Sequence, residues 1–143
     1  MTKRRVVITG LGAVSPFGVG VDKFWHSLVE GKSGISTSEL IDVSKHVVKI
    51  SGEVKNFNPE EYLDAKEAKK MDRFIQFAMI AADEAVKDAK LEEVNDVDPY
   101  KIGVVVSSAA GGFHTFEENH VRILEKGPNK CSPFTIPMMI VNM

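Results

Sequence analysis

The stretch RRVVITGLGAVSPFGVG, residues 4–20, constrains the fold more than any other part of the sequence. Residues 6–8 are Val, Val and Ile, which favour a buried strand. Gly10 and Gly12 follow, with the spacing that opens a dinucleotide-binding turn. The stretch is therefore either the phosphate-binding turn of a nicotinamide-dependent oxidoreductase or a glycine turn with a structural role.

The remainder of the stretch favours the structural role. A dinucleotide turn needs a third glycine, which lets the next helix pack tightly with its N-terminus at the pyrophosphate. Ser15 occupies that position, and Gly18 and Gly20 follow. Because further glycines weaken a first helical turn, we expect the helix to begin only after Asp22, with Asp22 as its N-cap, and to end near residue 30.

Composition and length place the chain in the globular class. It has 143 residues, 43% of them hydrophobic, and a formal net charge of −2. The balance of charge does not favour nucleic acid as a partner, and no apolar run is long enough to cross a membrane. The N-terminus lacks a signal-peptide cleavage site, so we expect a cytoplasmic protein or one in an organelle matrix. Cys131 is the single cysteine, and an inert thiol is favoured over a nucleophile.

The order of predicted elements is typical of an α/β fold with a mainly parallel sheet. Beyond the first strand and helix, the sequence predicts a loop at 31–36, an extended segment at 47–54, a single helical turn after Asn58, a helix over 64–89, a strand over 101–108 and a helix over 115–125. Two clear strands make a thin sheet for this much helix, so we expect part of a domain rather than a whole one.

The helix predicted over 64–89 has the strongest periodicity, with Asp64 as its expected cap. Lys66, Lys69, Lys70 and Arg73 crowd its first turns, where cations oppose the helix dipole. Two explanations stay open. Neighbouring acids compensate these charges locally, or the lysines receive an anionic partner.

Other charged groups are better explained as solvated surface. Asp64, Glu67 and Asp72 lie among lysines, and surface charge is favoured over an acid–base pair. On the helix over 115–125, Val121 and Leu124 are expected to face inward. Four neighbouring histidine and glutamate residues have nearly the spacing at which side chains share a helix face: His114, Glu117, Glu118 and His120. A solvated helix face is favoured over a metal site for this set.

Several blocks, in order, resemble the elongating type II β-ketoacyl-acyl carrier protein synthases. They are VVITGLGAVSPFG, GKSGI, KNFNPEEYLDAKEAKKMDRFIQFA, KIGVVVSSAAGG and EENHVRILEKGPNKCSPFTIPMMIVNM. The segments KMDRFIQ and GPNKCSPF together are specific to that family. The resemblance implies a thiolase-like α/β fold, with residues 1–143 forming the N-terminal part of its first half. It also implies a homodimer that needs no metal or other cofactor and has neither nucleic acid nor membrane as a partner.

The resemblance further implies a decarboxylative Claisen condensation of malonyl-acyl carrier protein with an enzyme-bound acyl thioester. The family's nucleophilic cysteine and catalytic histidines lie beyond the position matching Met143, so Cys131, His114 and His120 do not match them. We therefore expect a chain ending at Met143 to be catalytically inactive alone. The alternative is a chain-length-determining subunit that lacks the nucleophile.

Two sets of residues match functional positions of the family. Ala110 matches a position that lines the acyl pocket, often isoleucine, and Thr135 matches one that reaches the acyl pocket of the partner subunit, often phenylalanine. Both residues are smaller here, so we expect a roomier pocket. Asn129 stands where an arginine is frequent. The remaining matches are basic positions that receive the acidic acyl carrier protein: Lys66, Lys69, Lys70 and Lys130.

Overall fold

The glycine turn packs against a long helix, α3 (Arg73–Asp88). The computed structural model describes residues 3–94 and 97–141. A Cβ atom added to Gly12 would lie 1.8 Å from the carbonyl oxygen of Ala81, and one added to Gly10 would lie 2.2 Å from that of Ala85. Because backbone meets backbone here, only glycine fits at either position.

Two carboxylates of α3 bind the N–H groups of the same turn. Glu84 accepts hydrogen bonds from the N–H groups of Ala13 and Val21, both at 2.9 Å. Asp88 accepts one from the N–H of Leu11, also at 2.9 Å. A pyrophosphate would need free N–H donors in such a turn. These donors are taken by acidic side chains, so the structure supports the structural role of the glycines over the nucleotide alternative.

The helices and strands alternate with short 3₁₀ turns. In chain order they are β1 (Val14–Ser15), β2 (Gly18–Val19), α1 (Val21–Val29), β3 (Ile35–Thr37), β4 (Ile50–Gly52), α2 (Ala65–Ala68), α3, α4 (Phe113–Lys126) and α5 (Thr135–Met139), with 3₁₀ turns at Pro59–Glu61, Leu91–Glu93, Pro99–Lys101 and Pro128–Lys130. The described residues form two compact units, 3–57 with 80–94 and 58–79 with 97–141. Within the described ranges, no helix combines the length and apolar character needed to span a bilayer.

The prediction of a mainly parallel sheet is wrong for the described residues. The strands form two antiparallel pairs, β1 with β2 and β3 with β4. Residues 6–8 and 102–108 form neither strand nor helix, and Val6 and Val105 are 86% and 95% exposed. Their β-branched side chains favour a strand, but a strand exists only where a neighbour supplies hydrogen bonds. No segment among the described residues pairs with either of them as a neighbouring strand.

The first helix begins earlier than predicted. It starts at Val21 after Gly20, whose φ is 110°, so Asp22 lies inside the first turn and is not the cap. Glu84 satisfies the N–H of Val21 in place of a local cap. The predicted loop at 31–36 is shorter, because β3 already begins at Ile35.

The helix predicted over 64–89 is two helices. Asp64 caps α2 as predicted, accepting from the N–H groups of Lys66 and Glu67. The chain then leaves helical geometry, and α3 begins at Arg73. The side-chain amide of Gln76 donates to the carbonyl oxygens of Ala68 and Met71 and so links α3 to the end of α2 across the break.

The predicted turn after Asn58 is confirmed, since the Asn58 side chain caps the 3₁₀ turn Pro59–Glu61. α4 begins two residues before the predicted start and ends at Lys126, one residue beyond the predicted end, with Gly127 as its C-cap. Its inward face was predicted wrongly, because Leu124 is 72% exposed while Thr115 and Asn119 are buried. Val121 is also exposed. The buried face of α4 is therefore polar, which a search for apolar periodicity does not detect.

A buried carboxylate stabilises the β3–β4 hairpin. Glu53 accepts hydrogen bonds from the hydroxyls of Ser38 and Ser51 and from the N–H groups of Glu39 and Leu40. The Ser38 hydroxyl contributes most, and together these donors lower the pKa of Glu53 to about 2.

Replacing Glu53 with glutamine is expected to lower the stability of the protein in a pH-dependent way. The folded-state pKa lies below the ordinary value of 4.5, so the carboxylate's contribution is complete above that value and is lost as the pH falls through about 2. Urea unfolding from neutral to acidic pH should show the difference between wild type and Glu53→Gln shrinking below pH 4.5. The control is Glu39→Gln, at an exposed ion pair with Lys55. A difference that does not vary with pH would contradict the prediction.

Candidate functional site

Three lysines lie on α2 and directly after it. Lys66, Lys69 and Lys70 are exposed, and Lys70 forms an ion pair with Glu67 at 2.6 Å. No acidic side chain in residues 3–94 or 97–141 forms an ion pair with Lys66 or Lys69. Lys69 is the C-cap of α2, so the charges of Lys69 and Lys70 lie at the favourable end of that short helix and do not oppose its dipole. Among the described residues, an acidic neighbour therefore compensates the charge of only one of the three lysines, Lys70. The ammonium groups of Lys66 and Lys69 face solvent.

The fourth basic candidate lies after α4. Gly127 ends that helix with a φ of 87°, and the 3₁₀ turn Pro128–Lys130 follows at once. The backbone N–H of Lys130 donates to the carbonyl oxygen of Gly127 at 3.1 Å, while its side chain is exposed. Asn129 in the same turn is exposed too. The turn thus presents one cation, Lys130, beside a neutral side chain.

Asp72, two residues after Lys70, is buried and not surface charge as predicted. It is 5% exposed, and its Oδ2 accepts hydrogen bonds from the N–H of Thr115 at 3.0 Å and from the Thr115 hydroxyl at 2.6 Å. Its Oδ1 accepts from the N–H of Phe74 at 3.4 Å. One carboxylate therefore fixes the start of α3 and the first turn of α4 together, by charge-assisted hydrogen bonds shielded from water.

The buried hydrogen bonds continue from α4 to α5. The Asn119 amide donates to the carbonyl oxygen of Thr115 at 2.9 Å and accepts from the N–H of Ser132 at 3.1 Å. The Thr135 hydroxyl donates to the carbonyl oxygen of Ser132 at 2.7 Å. Thr135, one of the two pocket candidates, is half-buried and begins α5. It is therefore connected to Asp72 through a continuous set of polar contacts.

The other pocket candidate, Ala110, lies in a bend just before two glycines that contact α5. The N–H of Gly112 donates to the carbonyl oxygen of Met139 at 2.9 Å. A Cβ atom at Gly111 would lie 2.3 Å from the same oxygen, and the φ of Gly111 is 64°. The end of α5 is thus held against the turn that carries Ala110, and Ala110 itself is exposed.

The remaining candidates are exposed side chains in the part of the chain that the structure describes. Cys131 is a free, exposed thiol, with its Sγ 3.5 Å from the Thr135 hydroxyl oxygen. His114 and Glu118 are exposed on α4, with 3.4 Å between Nε2 and Oε1. In the described ranges, no group of three or more His, Cys, Asp or Glu side chains is placed to hold a metal ion. The exposure of this set agrees with the solvated face favoured by the sequence.

Sequence reasoning missed the polar residues that hold the site together: Asp72, Thr115 and Asn119. The position of Asp72 among lysines favours solvated charge, and apolar periodicity does not reveal buried polar residues such as Thr115 and Asn119. One signal was present. Thr115 and Asn119 are four residues apart, so both lie on one face of a helix.

Residues 3–143 match the family described as "Beta-ketoacyl synthase, N-terminal domain". The chain is 45% identical over 143 residues to a Synechocystis protein named 3-oxoacyl-[acyl-carrier-protein] synthase 2 and 48% identical over 140 residues to a Staphylococcus aureus protein of the same name. These matches cover 100% and 98% of the chain but 34% of each relative. The chain thus spans about a third of their length.

Solved structures show the same fold. The ishigamide ketosynthase/chain length factor matches 97% of this chain with a TM-score of 0.76 at 26% identity, over 34% of its own length. A type II polyketide ketosynthase, solved in complex with its acyl-carrier protein, matches 97% of this chain with a TM-score of 0.74 at 22% identity, over 37% of its own length. The described chain therefore has the architecture of the N-terminal part of a ketosynthase.

Proposed function

The chain belongs to the β-ketoacyl synthase family, and from that membership we propose that the intact protein is a 3-oxoacyl-acyl carrier protein synthase II. In this activity an acyl chain moves from its carrier protein to an enzyme cysteine, with release of the carrier thiol. Malonyl-acyl carrier protein then loses carbon dioxide, and the carbanion attacks the acyl thioester and frees the cysteine. Identity of 45% and 48% to synthases of this name carries the proposal.

We propose that residues 1–143 are the N-terminal segment of a single ketosynthase domain. Two apolar segments, 6–8 and 104–106, support this, since Val6, Ile8 and Val104 are each more than 80% exposed. Contiguous exposed apolar surface marks an interaction site. In the proposed arrangement, the remainder of the thiolase-like fold covers these segments and pairs with their backbone.

We propose that the acyl carrier protein docks on Lys66, Lys69, Lys70 and Lys130. The exposure of all four side chains supports this, as does the lack of any ion pair to Lys66 and Lys69 within the described residues. Exposed cations attract an acidic partner over about a Debye length, roughly 8 Å at physiological salt. A ketosynthase that shares this fold was solved with its acyl-carrier protein, which is consistent with such a surface.

We propose that Ala110 and Thr135 line the acyl pocket. The contact of the Gly111–Gly112 turn with Met139 supports this, because it brings the segment bearing Ala110 to the end of α5, which begins at Thr135. Both side chains are small, so the pocket should accept long or branched chains.

An assay of condensation by the intact wild type and Ala110→Phe, with carrier proteins bearing short, medium and long acyl chains, tests function and pocket together. Wild type is expected to form 3-oxoacyl products from long chains. Ala110→Phe is expected to lose at least about tenfold in kcat/KM on long chains, because the added ring fills the pocket, and to keep short-chain turnover. An unaltered chain-length profile would remove the pocket assignment, and no turnover of any chain by wild type would refute the synthase.

A second candidate is a chain-length-determining subunit. The match to a chain of the ishigamide ketosynthase/chain length factor, at 26% identity, is the observation that raises this candidate. The higher identity to synthases favours the enzyme. Condensation by the protein without a partner subunit would separate the two.

We further propose that the enzyme is cytoplasmic and homodimeric. Two exposed aromatic rings in the first turn of α4 support the dimer, since Phe113 is 67% exposed and Phe116 is half exposed. A second subunit would remove such rings from water.

A further inference from the structure

We propose that Thr115 and Asn119 are positioning residues, which hold the docking lysines at a fixed separation from the acyl pocket. The inference rests on the proposed function, because it uses the docking role of Lys70 and its neighbours and the pocket role of Thr135. It adds two residues that contact neither carrier protein nor acyl chain.

The first link is between the lysines and α4. Lys70 is two residues from Asp72, and the Asp72 carboxylate accepts two hydrogen bonds from Thr115. Asp72 and Thr115 are 5% and 4% exposed, so water does not compete for these bonds. The short segment after α2 therefore cannot shift without breaking charge-assisted hydrogen bonds to the first turn of α4.

The second link is between α4 and the pocket. Asn119 lies one helical turn beyond Thr115 and bonds to its carbonyl oxygen. Its own side-chain oxygen accepts from the N–H of Ser132, whose carbonyl oxygen accepts from the Thr135 hydroxyl. α4 thus links the two regions: Thr115 bonds to the segment that follows the docking lysines, and Asn119 bonds to the segment that precedes Thr135.

The distance between the docking lysines and the acyl pocket is important because the acyl substrate is covalently attached to its carrier protein. An acyl chain delivered by a docked carrier protein reaches the pocket only if the docking surface and pocket lie at the spacing that the tether allows. A small free thioester has no such constraint. We call the hydrogen bonds that run from Asp72 through Thr115 and Asn119 to Ser132 and Thr135 the polar relay. Loosening this relay should therefore affect the two kinds of substrate differently.

The test compares Thr115→Val, which loses the hydroxyl but keeps the side-chain shape, with Thr115→Ser, which keeps the hydroxyl. In the intact enzyme, Thr115→Val is expected to raise KM for acyl-acyl carrier protein roughly fivefold, with kcat kept within about twofold. KM for an acyl N-acetylcysteamine thioester should not change, and Thr115→Ser should restore carrier-protein KM. Asn119→Leu, which breaks the relay at its next bond, should reproduce the effect. The control is Glu117→Gln on the exposed face of α4.

Equal loss on both substrates would overturn the proposal, because it would show a general structural role. An unchanged KM in both Thr115→Val and Asn119→Leu would overturn it too. Failure of the proposed function is separately visible, as the absence of condensation by wild type with either substrate, and would overturn both.

Discussion

Replacing Gly12 with valine is expected to destabilise the protein by at least about 3 kcal/mol, through overpacking against a helix backbone. Even a Cβ atom at this position would lie 1.8 Å from the carbonyl oxygen of Ala81 and 2.9 Å from the backbone nitrogen of Ala85. These atoms belong to the hydrogen-bonded backbone of α3, which cannot shift as a flexible side chain can. Thermal unfolding followed by circular dichroism should show a much lower Tm or loss of soluble protein.

The matched control is Ser36→Val, which also adds a branched side chain in the unit that contains Gly12. Ser36 is exposed on β3 and lies outside the two segments proposed to be covered by the remainder of the fold, so valine there should leave the Tm nearly unchanged. A Gly12→Val protein as stable as the control would show that the glycine turn does not approach α3 this closely. It would also reopen the nucleotide alternative, which titration with NAD and NADP would then test.

The same glycine turn shows which features of the fold could be predicted from the sequence and which could not. Ser15 in place of a third glycine indicates a structural role, which follows from local geometry. The surface that the turn contacts could not be predicted, because Ala81 and Ala85 lie about 70 residues further along the chain. Glu84 and Asp88, which bind the turn's N–H groups, look like ordinary surface acids in the sequence.

The errors in the fold have two physical causes. Residues 6–8 and 101–108 have strong β propensity, but propensity becomes a strand only when a neighbour pairs with it. The break between α2 and α3 has a tertiary cause, since Asp72 leaves helical geometry while its carboxylate bonds to Thr115, 43 residues away. Helical periodicity continues through the break and conceals it.

The candidate site was only partly accessible from the sequence. The resemblance supplied the lysines and the pocket positions, and these stay proposals for this chain. The buried polar relay through Asp72 and Asn119 was not predicted, because polar residues on a helix are normally assigned to its solvent face.

Reversing the charge of the lysine cluster, as Lys66→Glu, Lys69→Glu and Lys70→Glu together, is expected to raise KM for acyl-acyl carrier protein at least about tenfold. Each change replaces attraction to an acidic partner by repulsion at an exposed site, while kcat should change little because the acyl pocket is untouched. Wild-type KM should rise with ionic strength, since salt screens surface charges, and the variant should lose most of that dependence. Steady-state kinetics at low and high salt measure both effects.

The control reverses three exposed lysines that lie outside the cluster, Lys23, Lys45 and Lys49, and so makes the same change in net charge. If docking depends on local charge, this control should keep nearly the wild-type KM, because its sites lie outside the unit that carries α2. A KM raised equally in both variants would show that the carrier protein senses only net charge. An unchanged KM in the cluster variant would remove these lysines from the docking surface, since reversing three charges at a docked acidic partner cannot be energetically silent.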